Sequence, residues 1–202
     1  MLAVNSTAPG SVSDAPAGMA WSHWARLVPK PFARLDLTIH QAEREMSKRS
    51  AGILMYRTGK AGLEVLLVHP GGPFWAKKDV GSWSIPKGEH SASEDPLAVA
   101  VREFEEETGL RPSGTFQALG EITQPSRKIV AAWAVEGDFD PRTLKSNTFE
   151  LEWPPRSGHR QTFPEVDRAE WFSPDRAHEK ILPAQRPFIM RLMETIAAPP
   201  SG

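Results

Sequence analysis

Short apolar runs separated by glycine and proline occupy the middle of the chain, and this pattern is typical of β-strands. Ile53–Tyr56 and Leu63–Val68 are two such runs, and the glycine-containing segment Thr58–Gly62 between them predicts a hairpin. The same pattern predicts further strands around residues 83–85, 115–123, 128–136 and 165–172. The predicted strands therefore lie on both sides of a longer segment that has a different period.

Residues 95–109 have the spacing and the end residues of an amphipathic helix. Asp95 is a suitable N-cap, and Pro96 fits the first helical position because no intrahelical partner exists there for an N–H. Gly109 is a suitable C-cap. One apolar face is formed, at spacings of four and three residues, by Leu97, Val101 and Phe104. A helix is therefore predicted over this segment.

Proline and glycine mark the remaining loops of the chain. Residues 69–82 are rich in both and predict a loop. A second loop, rich in proline and arginine, is predicted between the strands at 128–136 and 165–172. Ser173 followed by proline predicts a helix start, and Pro183–Ile196 predicts a terminal helix.

The N-terminal segment differs in composition from the rest of the chain. Residues 1–20 are small, polar and rich in proline and glycine, which is typical of disorder. Pro29 and Pro31 exclude a long helix in the segment that follows. We therefore expect residues 1–45 to form a disordered or loosely docked extension and residues 46–202 to form the folded domain.

Composition and charge narrow the class of protein. The chain has 202 residues, enough for one domain with a core, and a formal net charge of −1. That charge gives no electrostatic argument for nucleic acid or a membrane surface as a partner. Cysteine is absent, which excludes disulfides and cysteine-ligated zinc, and no apolar run approaches a membrane span. We expect a cytoplasmic protein, and the sequence leaves the oligomeric state open.

The polar side of the predicted helix carries a group of carboxylates. Glu106 and Glu107 follow Glu103 by three and four residues, so the three lie on one face, roughly opposite the apolar one. A solvated acidic helix is the plain alternative. Like charges at these spacings destabilise a helix, so a bound cation is a physical reason to keep them. Hard divalent cations such as Mg²⁺ prefer oxygen ligands of this kind.

Residues 88–110 carry a fixed pattern of glycine and charged residues. From Gly88 to Leu110 the chain follows Gly-x5-Glu-x7-Arg-Glu-apolar-x-Glu-Glu-x-Gly-apolar. This resembles the signature box of the Nudix (MutT-type) hydrolases at every fixed position, and the likeness extends less sharply from Ser50 to Trp171. The resemblance implies an α/β fold, a Nudix-type α/β/α sandwich with a central mixed sheet. The order of predicted strands and helices fits that architecture.

The resemblance also implies a metal site within the box. The expected ion is Mg²⁺, for which Mn²⁺ can substitute. Its implied ligands are the carbonyl of Gly88 and the carboxylates of Glu103, Glu106 and Glu107. Glu94 is expected to support these residues or to bind the metal through water.

Catalytic roles follow from the same resemblance. Glu103 is either a further metal ligand or the general base, and Arg102 is expected to hold the glutamates through bidentate hydrogen bonds. Glu165 lies outside the box, where some family members place an acid that binds metal or acts as the base. Glu150 and Glu152 are rival acids, and a surface glutamate is the alternative for each of the three.

Substrate contacts are expected from lysines and aromatic residues near the box. The candidates are Lys87, Trp75, Lys77 and Lys78. In the family, aromatic side chains often sandwich the nucleobase, and Phe74 and Tyr56 are rivals to Trp75 for this role. The lysines would neutralise phosphates, with a solvated lysine or ordinary aromatic packing as the alternative for each residue.

The expected activity is magnesium-dependent hydrolysis of a phosphoric anhydride in a small-molecule nucleotide. The pattern Trp83-x-x-Pro86-Lys87-Gly88 resembles the diadenosine polyphosphate hydrolases. We therefore expect asymmetric cleavage of diadenosine tetraphosphate to ATP and AMP. Two other activities are alternatives: pyrophosphohydrolysis of nucleoside triphosphates and pyrophosphohydrolysis of RNA 5′ ends. A nucleotide-binding module without turnover is a third alternative.

Overall fold

Six strands form one mixed sheet in the computed structural model, which describes residues 48–60 and 62–197. In chain order, the elements are β1 (Arg49–Gly59), β2 (Gly62–Pro70), β3 (Lys87–His90), α1 (Pro96–Thr108), β4 (Gln117–Thr123), β5 (Ile129–Glu136), β6 (Thr148–Glu152), β7 (Arg160–Pro164), β8 (Val166–Phe172), α2 (Pro174–Lys180) and α3 (Arg186–Ala197), with short 3₁₀ turns at Pro141–Thr143 and Pro183–Gln185. The predicted extension of residues 1–45 lies outside the described residues.

The sheet has the order β4-β5-β1-β2-β8, with β1 at its centre. β1 runs parallel to β5 along one side. Along its other side, β1 pairs antiparallel with β3 over its first residues and with β2 over its last. Gly52 lies opposite Lys87, and a Cβ on Gly52 would come within 2.5 Å of the Pro86 carbonyl oxygen. The close approach of residues 85–88 to β1 therefore requires glycine at position 52.

Helices cover both faces of this sheet, as the strand alternation of β1 and β2 requires. On one face, Ile53 and Leu66 pack with α1 through Phe104. On the other face, Leu54 and Leu67 belong to a cluster that includes Phe188 and Leu192 of α3 together with α2. The expected α/β/α sandwich with a central mixed sheet is thus confirmed. None of the helices in the described ranges is long and apolar enough to cross a membrane.

The ends of α1 follow from its sequence. The Asp95 carboxylate accepts hydrogen bonds from the backbone N–H groups of Leu97 at 3.2 Å and Ala98 at 3.3 Å. At the other end, Gly109 adopts a φ of 82° and donates to the Glu105 carbonyl at 2.7 Å. Both predicted caps are confirmed, and they fix the rotational phase with which the glutamates of α1 face their surroundings.

Two segments for which the sequence predicts no strand contain additional strands. Gly88 lies in β3, which forms because residues 87–90 pair with β1, although these residues show no local apolar pattern. The segment predicted as one Pro- and Arg-rich loop contains β6 and β7, which form a separate two-stranded sheet. The prolines at positions 154 and 155 lie in its connecting turn, where they do not interrupt the pairing.

Candidate active site

The meeting of β3 and α1 forms the centre of the site. A Cβ atom built on Gly88 would overlap the carboxylate of Glu103. Glycine at this position therefore allows the backbone of β3 to lie directly against a carboxylate of the helix. Because Ala51 of β1 is paired with Gly88, the central strand of the sheet determines how closely β3 approaches Glu103.

Glu107, one turn further along α1, faces the same strand. Its Oε2 accepts a hydrogen bond from the Lys87 backbone N–H at 3.2 Å. Burial raises the pKa of Glu107 to about 7; the charges of Glu103 and Glu165 act in the same direction, and the Lys87 ammonium opposes them. The plain alternative of a solvated carboxylate therefore does not describe Glu107, because burial favours its protonated form in the absence of a cation.

Lys87 shares this enclosed environment. Burial lowers the pKa of its ammonium group, the charge of Lys128 lowers it further, and the carboxylates of Glu107, Glu103 and Glu89 partly restore it. The plain alternative of a solvated lysine therefore does not describe Lys87. A cation held among carboxylates in a poorly hydrated cleft is suited to meet an anionic ligand there.

Arg102 connects three carboxylates instead of gripping one in bidentate fashion. Its guanidinium donates to Glu103 at 3.1 Å and to Glu94 at 3.4 Å, and it lies 3.7 Å from the carboxylate of Glu106. Glu94 in turn accepts from the backbone N–H and hydroxyl of Ser91 at 2.8 and 2.9 Å. Glu94 thus holds both the loop before α1, through Ser91, and the guanidinium of Arg102. Arg102 in turn orients Glu103 and Glu106.

Glu165 reaches the site from the junction between β7 and β8. Its carbonyl accepts from the Gly71 N–H at 2.9 Å, and its own N–H donates to the Asn147 carbonyl at 2.8 Å. The Asn147 N–H donates to the carbonyl of Glu106 at 3.2 Å, which ties this junction to α1. The Glu165 side chain is close enough for its charge to raise the pKa of Glu107. The structure therefore brings the acid outside the box together with those inside it.

The oxygen donors of this cluster fit a hard divalent cation, although they do not form a ready-made cage. Within residues 48–60 and 62–197, no three acidic or histidine side chains converge at ligand distances. Mg²⁺ usually keeps several waters and uses only one or two carboxylates beside substrate phosphates, so such a cage is not required. Repulsion of Glu107 by Glu103 and Glu165 is what a cation would relieve.

The loop of residues 71–82 adjoins the Glu165 side of the site and holds the remaining predicted contacts. The Lys78 ammonium lies 4.3 Å from the centre of the Trp75 ring, while Lys77 is exposed. Phe74 is exposed and packs edge to face with Trp153, which lies in the turn between β6 and β7. Their ring centroids are 5.3 Å apart. Trp75 and the two lysines therefore lie beside the carboxylate cluster rather than inside it.

Other candidates lie elsewhere in the fold. Tyr56 borders a cavity of about 530 Å³ at the opposite end of β1, together with Glu136 and Asp138, and this cavity shares no residue with the site. Glu150 pairs with Arg160 at 3.1 Å, and Glu152 accepts from the Gly158 N–H at 2.9 Å. Both rival acids thus stabilise the β6–β7 hairpin.

Sequence reasoning missed three polar residues that lie along residues 85–89. Lys128 comes from the turn between β4 and β5, Ser50 from β1, and Gln185 from the 3₁₀ turn before α3. The amide oxygen of Gln185 accepts from the Ile85 N–H at 3.1 Å. No local spacing links these residues to the box, because strand pairing and the Gln185 hydrogen bond bring them together only in the folded protein.

Comparisons with known proteins agree with this geometry. A profile of the NUDIX domain matches residues 46–192. The RNA pyrophosphohydrolase of Brucella anthropi is 28% identical over 113 residues, which are 52% of this chain and 63% of that protein. The chain thus spans less than two thirds of the length of this curated relative.

Solved structures share the fold at low sequence identity. A C. elegans Ap4A hydrolase in a binary complex superposes with a TM-score of 0.53 and 19% identity, covering 73% of this chain and 98% of that one. The NUDIX domain of Shewanella oneidensis NrtR, complexed with ADP ribose, superposes with a TM-score of 0.52 and 14% identity, covering 89% and 100%. Because the profile matches more than half of the chain and the signature box is intact, the chain belongs to the NUDIX family.

Proposed function

We propose that this protein is a magnesium-dependent hydrolase of pyrophosphate linkages and that it cleaves diadenosine tetraphosphate asymmetrically to ATP and AMP. The observation that carries the proposal is the enclosed Lys87 beside Glu103 and Glu107, where β3 meets α1. Phosphoric anhydride hydrolysis needs charge neutralisation on the phosphates, a positioned water and a proton acceptor. A lysine set among carboxylates that can hold a cation supplies these groups in one place.

The box carboxylates and Gly88 are assigned to the metal. Glu106 and Glu107 with the Gly88 carbonyl are the proposed ligands of Mg²⁺, and Mn²⁺ is the substitute. When bound, the ion neutralises phosphate charge and promotes ionisation of water. Arg102 keeps Glu103 and Glu106 in position through its contacts with both carboxylates.

Glu165 is the preferred general base, with Glu103 as the alternative. The Glu103 carboxylate is occupied by Arg102 and pressed against Gly88. Glu165 approaches from a different element, its residue is exposed, and no described side chain hydrogen-bonds its carboxylate. It is therefore the acid better able to turn towards a water molecule beside the phosphate chain.

The preference for a dinucleotide rests on the presence of candidate substrate contacts on both sides of the site. Lys87 lies on the β3 side, and the aromatic and basic loop with Trp75 and Lys78 lies on the Glu165 side. One nucleoside would stack on the loop while the second remains outside the cleft. The fold shared with an Ap4A hydrolase and the Trp83-x-x-Pro86-Lys87-Gly88 pattern support the same choice.

RNA 5′-end pyrophosphohydrolysis is the second candidate, because the curated relative carries that name. Pyrophosphohydrolysis of nucleoside triphosphates is a third, since it uses the same groups on a shorter chain. A binding module without turnover is disfavoured because the box keeps all of its carboxylates.

The test is a substrate panel of diadenosine tetraphosphate, nucleoside triphosphates, ADP-ribose and 5′-triphosphorylated RNA, each with Mg²⁺ and in ¹⁸O-water. We expect ATP and AMP from the dinucleotide, with ¹⁸O in only one of the two products. Two ADP molecules would show a different register of attack. Rapid cleavage of the RNA or the triphosphates, without cleavage of the dinucleotide, would overturn the preferred substrate.

A further inference from the structure

Three buried side-chain donors have no hydrogen-bond partner among the described residues. They are the Ser50 hydroxyl and the Gln185 Nε2 group, which flank β3 on the sheet face opposite α1, and Arg186 Nε at the start of α3. Ser50 is 1% exposed and Gln185 is fully buried, yet among the described residues nothing hydrogen-bonds the Ser50 hydroxyl or the Gln185 Nε2 group. Gln185 is nevertheless held in place, because its Oε1 accepts from Ile85. Buried polar groups in native proteins are nearly always satisfied, so unpartnered donors require an explanation.

Ser50 and Gln185 lie at the ends of one row along β3. Gln185 is bonded at position 85, Lys87 follows two residues later, and Ser50 is paired with Glu89. Positions 85 and 89 are four residues apart along the chain, so the row is at most roughly 14 Å long. The enclosed Lys87 lies in its middle.

Positive charge is concentrated at the Glu89 end of the row. The Lys128 ammonium lies 3.0 Å from the Glu89 carboxylate, and Lys48 approaches the same oxygen at 3.7 Å. With Lys87, three ammonium groups face a single carboxylate of β3. The Lys128 side chain is only 21% exposed and is placed by the turn in which the Gln124 N–H donates to the Lys128 carbonyl.

We propose that Gln185, Lys87, Ser50 and Lys128 form a subsite for the distal phosphates of the substrate. An amide N–H group, a hydroxyl and two ammonium groups all donate hydrogen bonds, and phosphate oxygens accept them. This proposal rests on the proposed function and extends it, because it gives the direction of the phosphate chain. The phosphate chain of the substrate runs along β3 towards Lys128. It runs away from Lys77 and Lys78, whose loop lies on the Glu165 side.

Calorimetric titration of the full chain with inorganic tripolyphosphate and with pyrophosphate, at constant Mg²⁺, tests the subsite. Lys128→Met should weaken tripolyphosphate binding about tenfold, because a charge-assisted hydrogen bond is lost, and pyrophosphate binding much less. Lys60→Met is the matched control, because it makes the same charge change in the exposed turn after β1, at the end of that strand away from Ser50. It should bind both anions like the wild type. Equal effects of the two substitutions on tripolyphosphate would overturn the proposal.

Two further variants separate binding from folding. Gln185→Glu keeps an acceptor for the Ile85 N–H and replaces the unpartnered amide nitrogen by an anionic oxygen, so tripolyphosphate affinity should fall. Ser50→Ala removes a buried hydroxyl without a partner, so affinity should fall while Tm stays unchanged or rises. If Gln185→Glu does not fold, Ser50→Ala and Lys128→Met decide the outcome. Wild-type tripolyphosphate affinity in Ser50→Ala and Lys128→Met would overturn the proposal.

Failure of the proposed activity and failure of the proposed anion subsite give different experimental results. A protein that cleaves none of the panel substrates but shows these affinity changes would retain the anion subsite and lose the proposed activity. Cleavage of diadenosine tetraphosphate with unchanged anion affinity in the variants would retain the activity and remove the subsite.

Discussion

Glu107 and Lys87 occupy one poorly hydrated part of the site, and burial shifts the pKa of each towards its neutral form. Their mutual attraction opposes both shifts, so each residue favours the charged form of the other. Perturbed carboxylates and lysines in contact are typical of functional sites. At the scale of single residues, Glu107 is therefore suited to bind a cation and Lys87 to bind an anion in the same part of the site.

Replacement of Glu107 by glutamine should abolish most activity and leave the fold intact. Glutamine has the size and neutrality of the protonated carboxyl, so its side chain should occupy the same enclosed position. Loss of a proposed metal ligand should reduce kcat by about 10²–10⁴. Steady-state kinetics at saturating Mg²⁺ and circular dichroism measure the two effects. A near-native rate would contradict the assignment, and Glu105→Gln on the same helix is the control.

The pH dependence of stability follows from the same carboxyl group. The pKa of Glu107 is about 7 in the fold and near its ordinary value of 4.5 when unfolded, so the native state binds more protons between these values. The free energy of unfolding of the metal-free protein should therefore fall as pH rises from about 5 to 8. Urea unfolding in EDTA should show a loss on the order of 1–3 kcal/mol relative to Glu107→Gln, allowing for solvent screening.

Carboxylates outside the site should contribute in a lower pH range. The pKa of Asp79 is lowered first by its hydrogen bond from Lys180, and that of Glu89 first by its bond from Lys128. Their stabilisation is present above the unfolded pKa and is lost on acidification. A parallel pH response of the wild type and Glu107→Gln between pH 5 and 8 would show that Glu107 is not the group responsible.

Among the secondary-structure elements, α1 and β3 differ in how far sequence determines them. Asp95, Pro96 and Gly109 define α1 locally, so its bounds and its acidic face follow from residue order. β3 has only four residues, Lys-Gly-Glu-His, with no apolar alternation. It is a strand because β1 pairs with it, and pairing between distant segments is not encoded in a local pattern.

The same distinction explains the candidate site. The box carboxylates could be identified from spacing within one helix, and Glu165 from resemblance to the family. Ser50, Lys128 and Gln185 carry no such spacing, because β1, the β4–β5 turn and the start of α3 meet only in the folded sheet. The proposed role of Ser50 and Gln185 follows from their burial and unpartnered donors, and that of Lys128 from its position beside Glu89.

The contact between β3 and α1 is tested by Gly88→Ala. Its Cβ would overlap the Glu103 carboxylate, so the glutamate or the strand must move. A displacement of about 1 Å at a catalytic centre can reduce turnover roughly 10²-fold, and we expect a loss of that size. Gly59→Ala in β1 is the control, because a Cβ there meets no atom within 4 Å. Equal kinetics of both variants would show that the contact is not needed for activity.

For the whole molecule, one sheet with two separate apolar clusters positions the site at its β3 end. α1 packs against one face through Phe104, and α3 packs against the other through Phe188 and Leu192. Both layers are fixed to the same central strand, so the carboxylates of α1 and the polar residues beside α3 keep a constant relation. The candidate carboxylate site and the proposed phosphate subsite therefore lie on the two faces of the sheet at β3.

The N-terminal extension should be dispensable for chemistry, so a chain that begins at Met46 should fold and hydrolyse the same substrate. The strands and helices between Arg49 and Ala197 bury their apolar faces on one another, and the family profile begins at residue 46. Circular dichroism, Tm and kcat/KM of the shortened and full chains measure this, and we expect kcat/KM to agree within about twofold. A chain that begins at Ala51, and so lacks the first strand residues and Ser50, is the contrasting case and should lose stability. If the chain from Met46 is insoluble or inactive, residues 1–45 belong to the catalytic domain and the predicted boundary is wrong.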